Sequence, residues 1–324
     1  MMRASWIILA LLSGVLPSWA FAQDDGVELL QKATEAAQTL SYSGVFVYQH
    51  GGRMETLKVL HGVVDGQEKT RIDTLDGPPR EIIRSNDEMK CYFPDSHHVR
   101  VEHHPRRMFF PALLMPPVQE FLGNYSVVLK GSNRVAGHDC QVIELQPRDN
   151  YRYIHRFCAD EQTHLLLREA TVGSHGRPIQ VSEFSELTIG IQVAPGQFKS
   201  SYPQAIQWRR HDVPLLENLE KTNEWSVGDA PPGFHKVVEV YRTSPKGHGP
   251  MTHLVYSDGL ASVSVFIEPV DGSLHLERIK SLRDSLSYYS IQKDGYQITV
   301  IGEVPVDTVT QIGQSVVQRR SGQQ

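Results

Sequence analysis

Cysteine is scarce. The chain has three in 324 residues, Cys91, Cys140 and Cys158, and no Cys-x-x-Cys pair, which removes that redox and metal signature. Excess positive charge is absent too: 32 Lys+Arg against 37 Asp+Glu give a formal charge of -5, so nothing in the bulk charge calls for nucleic acid as a partner. Past the N-terminus no apolar run approaches the roughly 20 residues of a spanning helix. Also missing are a Gly-x-Ser-x-Gly elbow, a His-Glu-x-x-His pair, a phosphate loop and a dinucleotide fingerprint, the usual marks of hydrolases, metalloproteases and nucleotide enzymes. No catalytic residue, metal centre or cofactor is expected, and the chain reads as a non-enzyme. What remains is globular composition, 40% hydrophobic, 21% charged and 8% aromatic, which excludes a disordered, collagenous or polytopic membrane chain.

The N-terminus has the form of a secretory signal. Arg3 supplies a positive charge, Trp6 to Leu12 begin a short apolar stretch, and Ala20-Phe21-Ala22 fits a small-x-small cleavage site. Residues 1–22 are therefore expected to be removed. Pro17 and the shortness of the run argue against an uncleaved anchor, and no cysteine follows the cut to carry a lipid. The mature chain is expected in the periplasm or a similar extracytoplasmic compartment, an oxidising setting for its cysteines.

From Gly26 to Leu40 apolar residues recur at helical spacing, and the pattern then changes to strands. Gly51-Gly52 and Asp65-Gly66 sit between β-rich runs as hairpin turns, and short strands continue to Ile191, predicting a long antiparallel meander that must curl or cover its edges. Cys140 and Cys158 flank the turn-like Pro147-Arg148-Asp149-Asn150, each nine residues from Asp149. A hairpin folded about Asp149 sets them face to face as a cross-strand disulfide, whereas a one-residue bulge leaves two buried thiols. Cys91 is left over as a buried thiol.

Residues 106–122 break the meander with an apolar, proline-punctuated stretch. It reads either as a core-covering helix with a proline loop or as a mobile plug over the concave face of the curled sheet, with an apolar pocket beneath. Arg106 and Arg107 beside Phe109, Phe110, Leu113, Leu114 and Met115, with Val45 and Val47 from the first strand, are the candidate lipid-binding residues: basic groups for an anionic head, apolar ones for its tails. The run His97 to His104 is too extended for two histidines of one face to share a metal, and reads as a solvated strand face. Gly173-Ser174-His175-Gly176 is an ordinary turn rather than a nucleophile and its base.

Residues 23–199 form a first domain, residues 200–222 a linker rich in Ser, Pro and charge, and residues 223–324 a smaller strand-rich domain closing in a helix over Asp307 to Arg320. Its aromatic residues Phe234, Tyr241, Tyr256 and Phe266 are the candidate partner-binding set. The fold class is α+β, mostly antiparallel β.

Several strings resemble a known family: Tyr42 to Tyr48, Arg134-Val135-Ala136-Gly137, Pro147-Arg148-Asp149 with Arg152-Tyr153, Pro231-Pro232-Gly233-Phe234, Tyr256 to Glu268, and Val300 to Pro305. In that order, over nearly the whole mature chain, they are similar to the RseB/MucB family of periplasmic sigma-factor regulators. The cysteine pair and the histidine-rich stretch near His97 depart from it. The resemblance implies a large N-terminal open half-barrel of the LolA/LolB type with helices over its concave face, and a smaller C-terminal domain. It also implies binding to the periplasmic region of an RseA- or MucA-type anti-sigma factor, its protection from the site-one protease, and release by lipopolysaccharide or lipoprotein acyl chains. A lipid or lipoprotein carrier of the LolA type is the alternative on the same sheet, disfavoured by the second domain. A homo-oligomer is left open.

Overall fold

The computed structural model describes residues 19–103, 110–113, 118–173, 176–213, 224–243, 250–270, 278–283 and 286–319. Helix α1 (Trp19–Thr39) is followed by β1 (Tyr42–His50), β2 (Arg53–Val64), β3 (Gln67–Thr74), β4 (Glu81–Ser85), β5 (Glu88–Phe93) and β6 (His98–His103). After the short α2 (Gln119–Leu122) come β7 (Tyr125–Val135), β8 (His138–Pro147), β9 (Ile154–Asp160), β10 (Leu166–Val172), β11 (Pro178–Ile189) and β12 (Arg209–Val213).

These twelve strands make one sheet in the order β12-β6-β5-β4-β3-β2-β1-β11-β10-β9-β8-β7. Only β12, parallel to β6, breaks the antiparallel pairing within it. Both β7 and β12 stay edges, so the sheet is the open half-barrel that the resemblance implies. Its inner face follows the two-residue period of a strand: Tyr42, Gly44 and Phe46 of β1 are buried, as are Leu57 and Val59 of β2. The apolar stripe of α1, with Leu30, Ala33 and Ala37, joins this core. Gly26 lets the helix lie close on β7, since a Cβ there would stand 2.6 Å from Val127.

The same period corrects two expectations. Val45 and Val47 alternate with the buried residues of β1 and so face away from the core, half-exposed. The linker is also shorter than expected. The segment after Phe198 is strapped to the outside of the sheet, where Arg71 donates to Lys199 O (3.0 Å) and Ser201 Oγ (2.6 Å) and Glu81 accepts Ser201 N–H (3.0 Å). It then continues as a short 3-10 turn, Pro203–Gln207, into edge strand β12. Five residues without clear alternation hid that strand from the pattern.

Cys140 and Cys158 are bonded, with Cα atoms 5.4 Å apart. The register differs from the symmetric hairpin, because Cys140 pairs with Asp160 and Val142 with Cys158. The hairpin therefore centres on Asn150, one residue later than Asp149, and the bond runs diagonally between strands, a separation that sheet twist closes on one diagonal.

The smaller unit contains β13 (Trp225–Val227), β14 (His235–Thr243), β15 (Pro250–Ser257), β16 (Ser262–Pro269), β17 (Arg278–Arg283), β18 (Leu286–Lys293) and β19 (Tyr296–Gly302), then α3 (Val306–Gln314) and β20 (Val316–Gln318). Six strands form a sheet ordered β14-β15-β16-β19-β18-β17, and β13 pairs separately with β20. α3 buries Val309 and Ile312 on one face of that sheet beside Leu254, Val265 and Val300. The helix stops at Gln314 rather than Arg320, because β-branched Val316 and Val317 pair with Val227 and Ser226.

Candidate functional site

Two places in the molecule gather functional side chains. The first is the inner face of the large sheet, where a hollow was expected. Phe110 is buried there, its ring 5.2 Å from Phe46 and 5.0 Å from Phe184, and Leu113 packs beside this core. What is left is a cavity of about 20 Å³, lined by Tyr42, Ile82, Phe110 and Ala112 with Glu68 and Arg84. That is space for one water molecule, not for an acyl chain. An occupant would have to displace Phe110 first. Arg106, Arg107, Phe109, Leu114 and Met115 lie outside the described residues.

The second place is the junction of the two domains. Arg152 stands in the turn between β8 and β9, and its side chain, like that of Asp258, is fully excluded from solvent. Its guanidinium donates to the Asp258 carboxylate at 2.5 Å, and also to Asp149 and to the carbonyl of Pro232. The ring of Phe234 lies 4.7 Å from the guanidinium carbon and that of Tyr125 5.9 Å, a cation–π arrangement on two sides. The other Asp258 oxygen accepts the backbone N–H of Leu260 (3.0 Å) and Ala261 (2.7 Å), while Tyr125 Oη donates to the carboxylate at 3.4 Å. Burial works against the charge on Arg152, but the carboxylates of Asp258 and Asp149 outweigh it and hold the guanidinium more firmly protonated than usual. Burial, reinforced by Asp258, pushes the Tyr125 phenol far up, so it stays a donor.

Around this ion pair the domains touch backbone to side chain. Thr308 Oγ1 at the start of α3 donates to Tyr151 O at 2.7 Å. Gly233 has a φ of +81°, and a Cβ there would stand 2.2 Å from Asn124 Oδ1, so only glycine fits this turn against the large domain. Beside the clamp, a polar recess of about 370 Å³ opens between Tyr151, Asp229 and the α3 residues Asp307 and Gln311.

The candidate partner residues divide accordingly. Phe234 is buried under Arg152, and Tyr256 is buried with its Oη accepting the Val227 N–H at 2.9 Å. Neither offers a free surface, since both sit where strand residues face the helix-covered core. Tyr241 is half-buried and donates to Glu224 at 2.7 Å. Phe266 is half-buried on the opposite face of the small sheet, stacked on His253 at 4.4 Å. Burial also pushes the Cys91 thiol up, which depletes its thiolate. In β6, Val99 and Val101 are buried and Arg100 pairs with Glu102 on the outer face. Among the described residues no group of three or more His, Cys, Asp or Glu is placed to hold a metal. Ser174 and His175 lie outside the described residues.

The members of the clamp come from the very strings that carried the family resemblance: Asp149 and Arg152 from one, Pro232 to Phe234 from another, Asp258 from a third. Their role was not legible from sequence. An arginine in a polar turn looks like a surface residue until a second domain covers it.

Two family models match the chain, the MucB/RseB N-terminal domain over residues 25–202 and the MucB/RseB C-terminal domain over residues 219–317. The chain is 29% identical over 315 residues to the sigma factor AlgU regulatory protein MucB of Pseudomonas aeruginosa, covering 95% of this chain and 96% of that one. It is 26% identical over 322 residues to the sigma-E factor regulatory protein RseB of Salmonella typhimurium, covering 97% and 98%. Among solved structures it superposes on the complex of Pseudomonas aeruginosa MucA and MucB with a TM-score of 0.75 at 27% identity, over 92% of this chain and all of that one. On a crystal structure of MucB the TM-score is 0.60 at 26% identity. Both domains, their order and the residues that join them thus place this chain in the MucB/RseB family.

Proposed function

We propose that this protein is a non-enzymatic periplasmic regulator. It binds the periplasmic region of a membrane anti-sigma factor of the RseA/MucA type, shields that region from site-one proteolysis, and lets go when a lipid-like envelope-stress signal occupies it. The observation that carries this reading is the whole-chain likeness to MucB in complex with MucA(peri), a TM-score of 0.75. The likeness to the crystal structure of MucB is weaker, 0.60, at nearly equal identity, which fits a family whose two domains are seated in more than one way. The Cys140–Cys158 bond supports the compartment, since such bonds persist where thiols are not kept reduced.

The clamp and the filled inner face give this reading a mechanism. Arg152 holds two separately cored domains as one body, so a partner spanning both meets a preformed surface. The inner face is closed by Phe110, so a lipid enters only a conformation in which that ring has left. A ligand selecting that conformation shifts the population away from the partner-bound one by its affinity difference between the two, and no further.

The test is digestion of the anti-sigma periplasmic segment by a site-one protease, with and without the purified protein, and then with lipopolysaccharide added. The protein is expected to slow cleavage and lipopolysaccharide to restore it. Cleavage at one rate under all three conditions would remove the proposal.

A further inference from the structure

Three of the exposed large apolar side chains of the large domain stand along one rim of its sheet. The register places them there: Lys58, Asp73, Glu81, Tyr92, Val99 and Arg210 are successive cross-strand partners from β2 to β12. Just beyond this row, on the same side, come Met54 at the start of β2, Leu75 at the end of β3 and Ile206 in the turn that leads into β12. They are 67%, 52% and 91% exposed. Five strand spacings separate the first from the last, roughly 24 Å along the sheet.

The tips are held, not frayed. The turn carrying Ile206 is closed by Ala205 N–H to Tyr202 O (2.9 Å) and Trp208 N–H to Ala205 O (3.1 Å). The Trp208 ring is wedged between Tyr202 at 5.4 Å and His97 at 5.5 Å. The charges at this rim are biased. Arg53 and Arg209 are exposed beside Met54 and Ile206, whereas Glu55 is paired with Arg80 (3.1 Å) and Asp76 accepts the Thr56 N–H (2.9 Å). This basic bias sits on a chain whose net charge is -5.

We infer that this rim docks on an anionic phospholipid bilayer, with Met54, Leu75 and Ile206 entering the headgroup layer, Trp208 at the interface and Arg53 and Arg209 on lipid phosphates. The three apolar tips stand on separate turns rather than around one groove. A single peptide strand cannot fill such an array, whereas a fluid interface admits each tip independently. Small apolar insertions backed by basic residues are the ordinary chemistry of interfacial binding. Following the same rim from β2 through β1, β11 and β10 to β9 leads to the turn that holds Arg152. Docking would thus bring the domain junction close to the membrane surface, where a single-pass partner emerges. This is attachment of the protein's outside to a bilayer and does not require the inner face to open.

The experiment is sedimentation of the full mature chain with phosphatidylcholine vesicles, and with vesicles in which about a third of the lipid is phosphatidylglycerol. Wild type is expected to sediment with the anionic vesicles and far less with the neutral ones. Met54→Ser/Leu75→Ser/Ile206→Ser should weaken apparent affinity at least tenfold, and Arg53→Glu/Arg209→Glu should abolish the preference for anionic lipid. All five side chains are exposed, so thermal unfolding should be unchanged and serves as the folding control. Wild type that ignores anionic vesicles, or variants that bind as wild type does, overturn the inference. So does a loss of anti-sigma segment binding in the serine variant without loss of vesicle binding, which would make the rim a protein-docking surface. Failure of the regulator reading alone would leave the vesicle result unchanged.

Discussion

Removing the guanidinium of Arg152 should separate the two domains without unfolding either. In Arg152→Met the Asp258 carboxylate stays buried, with the Tyr125 hydroxyl at 3.4 Å and two backbone N–H groups left to it. Breaking one partner of a buried ion pair costs about 3–5 kcal/mol, because the surviving charge is uncompensated. At about 1.4 kcal/mol per decade this shifts the docked–undocked equilibrium roughly 200- to 5,000-fold. The loss falls on the junction, since the apolar cores lie on either side of it. Calorimetry should then resolve two transitions, and small-angle scattering should report a larger radius of gyration at neutral pH. The second half of the argument is a rescue. Asp258→Asn keeps an oxygen for the Leu260 and Ala261 N–H groups while discharging the site, so Arg152→Met/Asp258→Asn should regain more than half of what Arg152→Met lost. A double variant as damaged as the single, or a single variant whose scattering curve matches wild type, refutes the claim that the pair holds the domains together.

Three further outcomes follow from the large domain. Phe110→Ala removes the ring between Phe46 and Phe184; it should destabilise by about 3–5 kcal/mol in chemical denaturation and raise uptake of a fluorescent fatty acid, and unchanged uptake would show that the inner face collapses rather than opens. Cys140→Ala/Cys158→Ala opens a link between residues 18 apart in sequence and should cost about 3 kcal/mol, whereas brief dithiothreitol treatment of the native protein should leave the bond intact, because both cysteines are buried; mass spectrometry after alkylation reads this. The hydrogen bond from His61 holds the Glu68 carboxyl below its ordinary value of 4.5. A depressed folded-state value means stability present above the unfolded value and lost as pH falls through the folded one. Glu68→Gln should therefore flatten the acid limb of the stability curve below about pH 4.5 and leave its slope near neutrality unchanged, as urea titrations across that range would show.

How much of this was legible in the sequence depended on whether the signal was local. The Gly51-Gly52 and Asp65-Gly66 hairpins were readable because left-handed turn residues sit between alternating strands; their φ values are +55°, +72°, +53° and +73°. The cysteine bond was readable as an option, but its register was not, because one residue of slip in the 147–153 turn moves every pair by one step. Val45 and Val47 were misplaced by trusting hydrophobicity over period, since β-branched residues also populate the outer face of a strand. β12 was missed because Arg209-Arg210-His211-Asp212 has the composition of a loop, and charge on a short edge strand is how a sheet discourages pairing with other chains. Arg152 and Asp258 lie 106 residues apart, and no window over the sequence joins them.

The junction and the inner face meet in one residue. Tyr125 is buried in the large core with Phe46 and Phe110, and its hydroxyl reaches the Asp258 carboxylate that anchors Arg152. Leu260, two residues after Asp258, packs on that same core. A change in how the inner face is filled therefore acts on atoms that belong to the clamp. Contact alone does not make a signal; the size of the clamp says what a signal must supply. To offset about 3–5 kcal/mol, a lipid must bind the undocked form roughly 200- to 5,000-fold more tightly than the docked one. Tight binding to both forms moves nothing. The decisive quantity is thus a ratio, obtainable by titrating one lipid against wild type and against Arg152→Met. If the clamp is the element that the ligand works against, the variant should bind more tightly, and the gain should approach the factor by which the clamp had disfavoured the competent form. Equal affinities would place the lipid site and the clamp in separate equilibria, and release of the partner would then need another route.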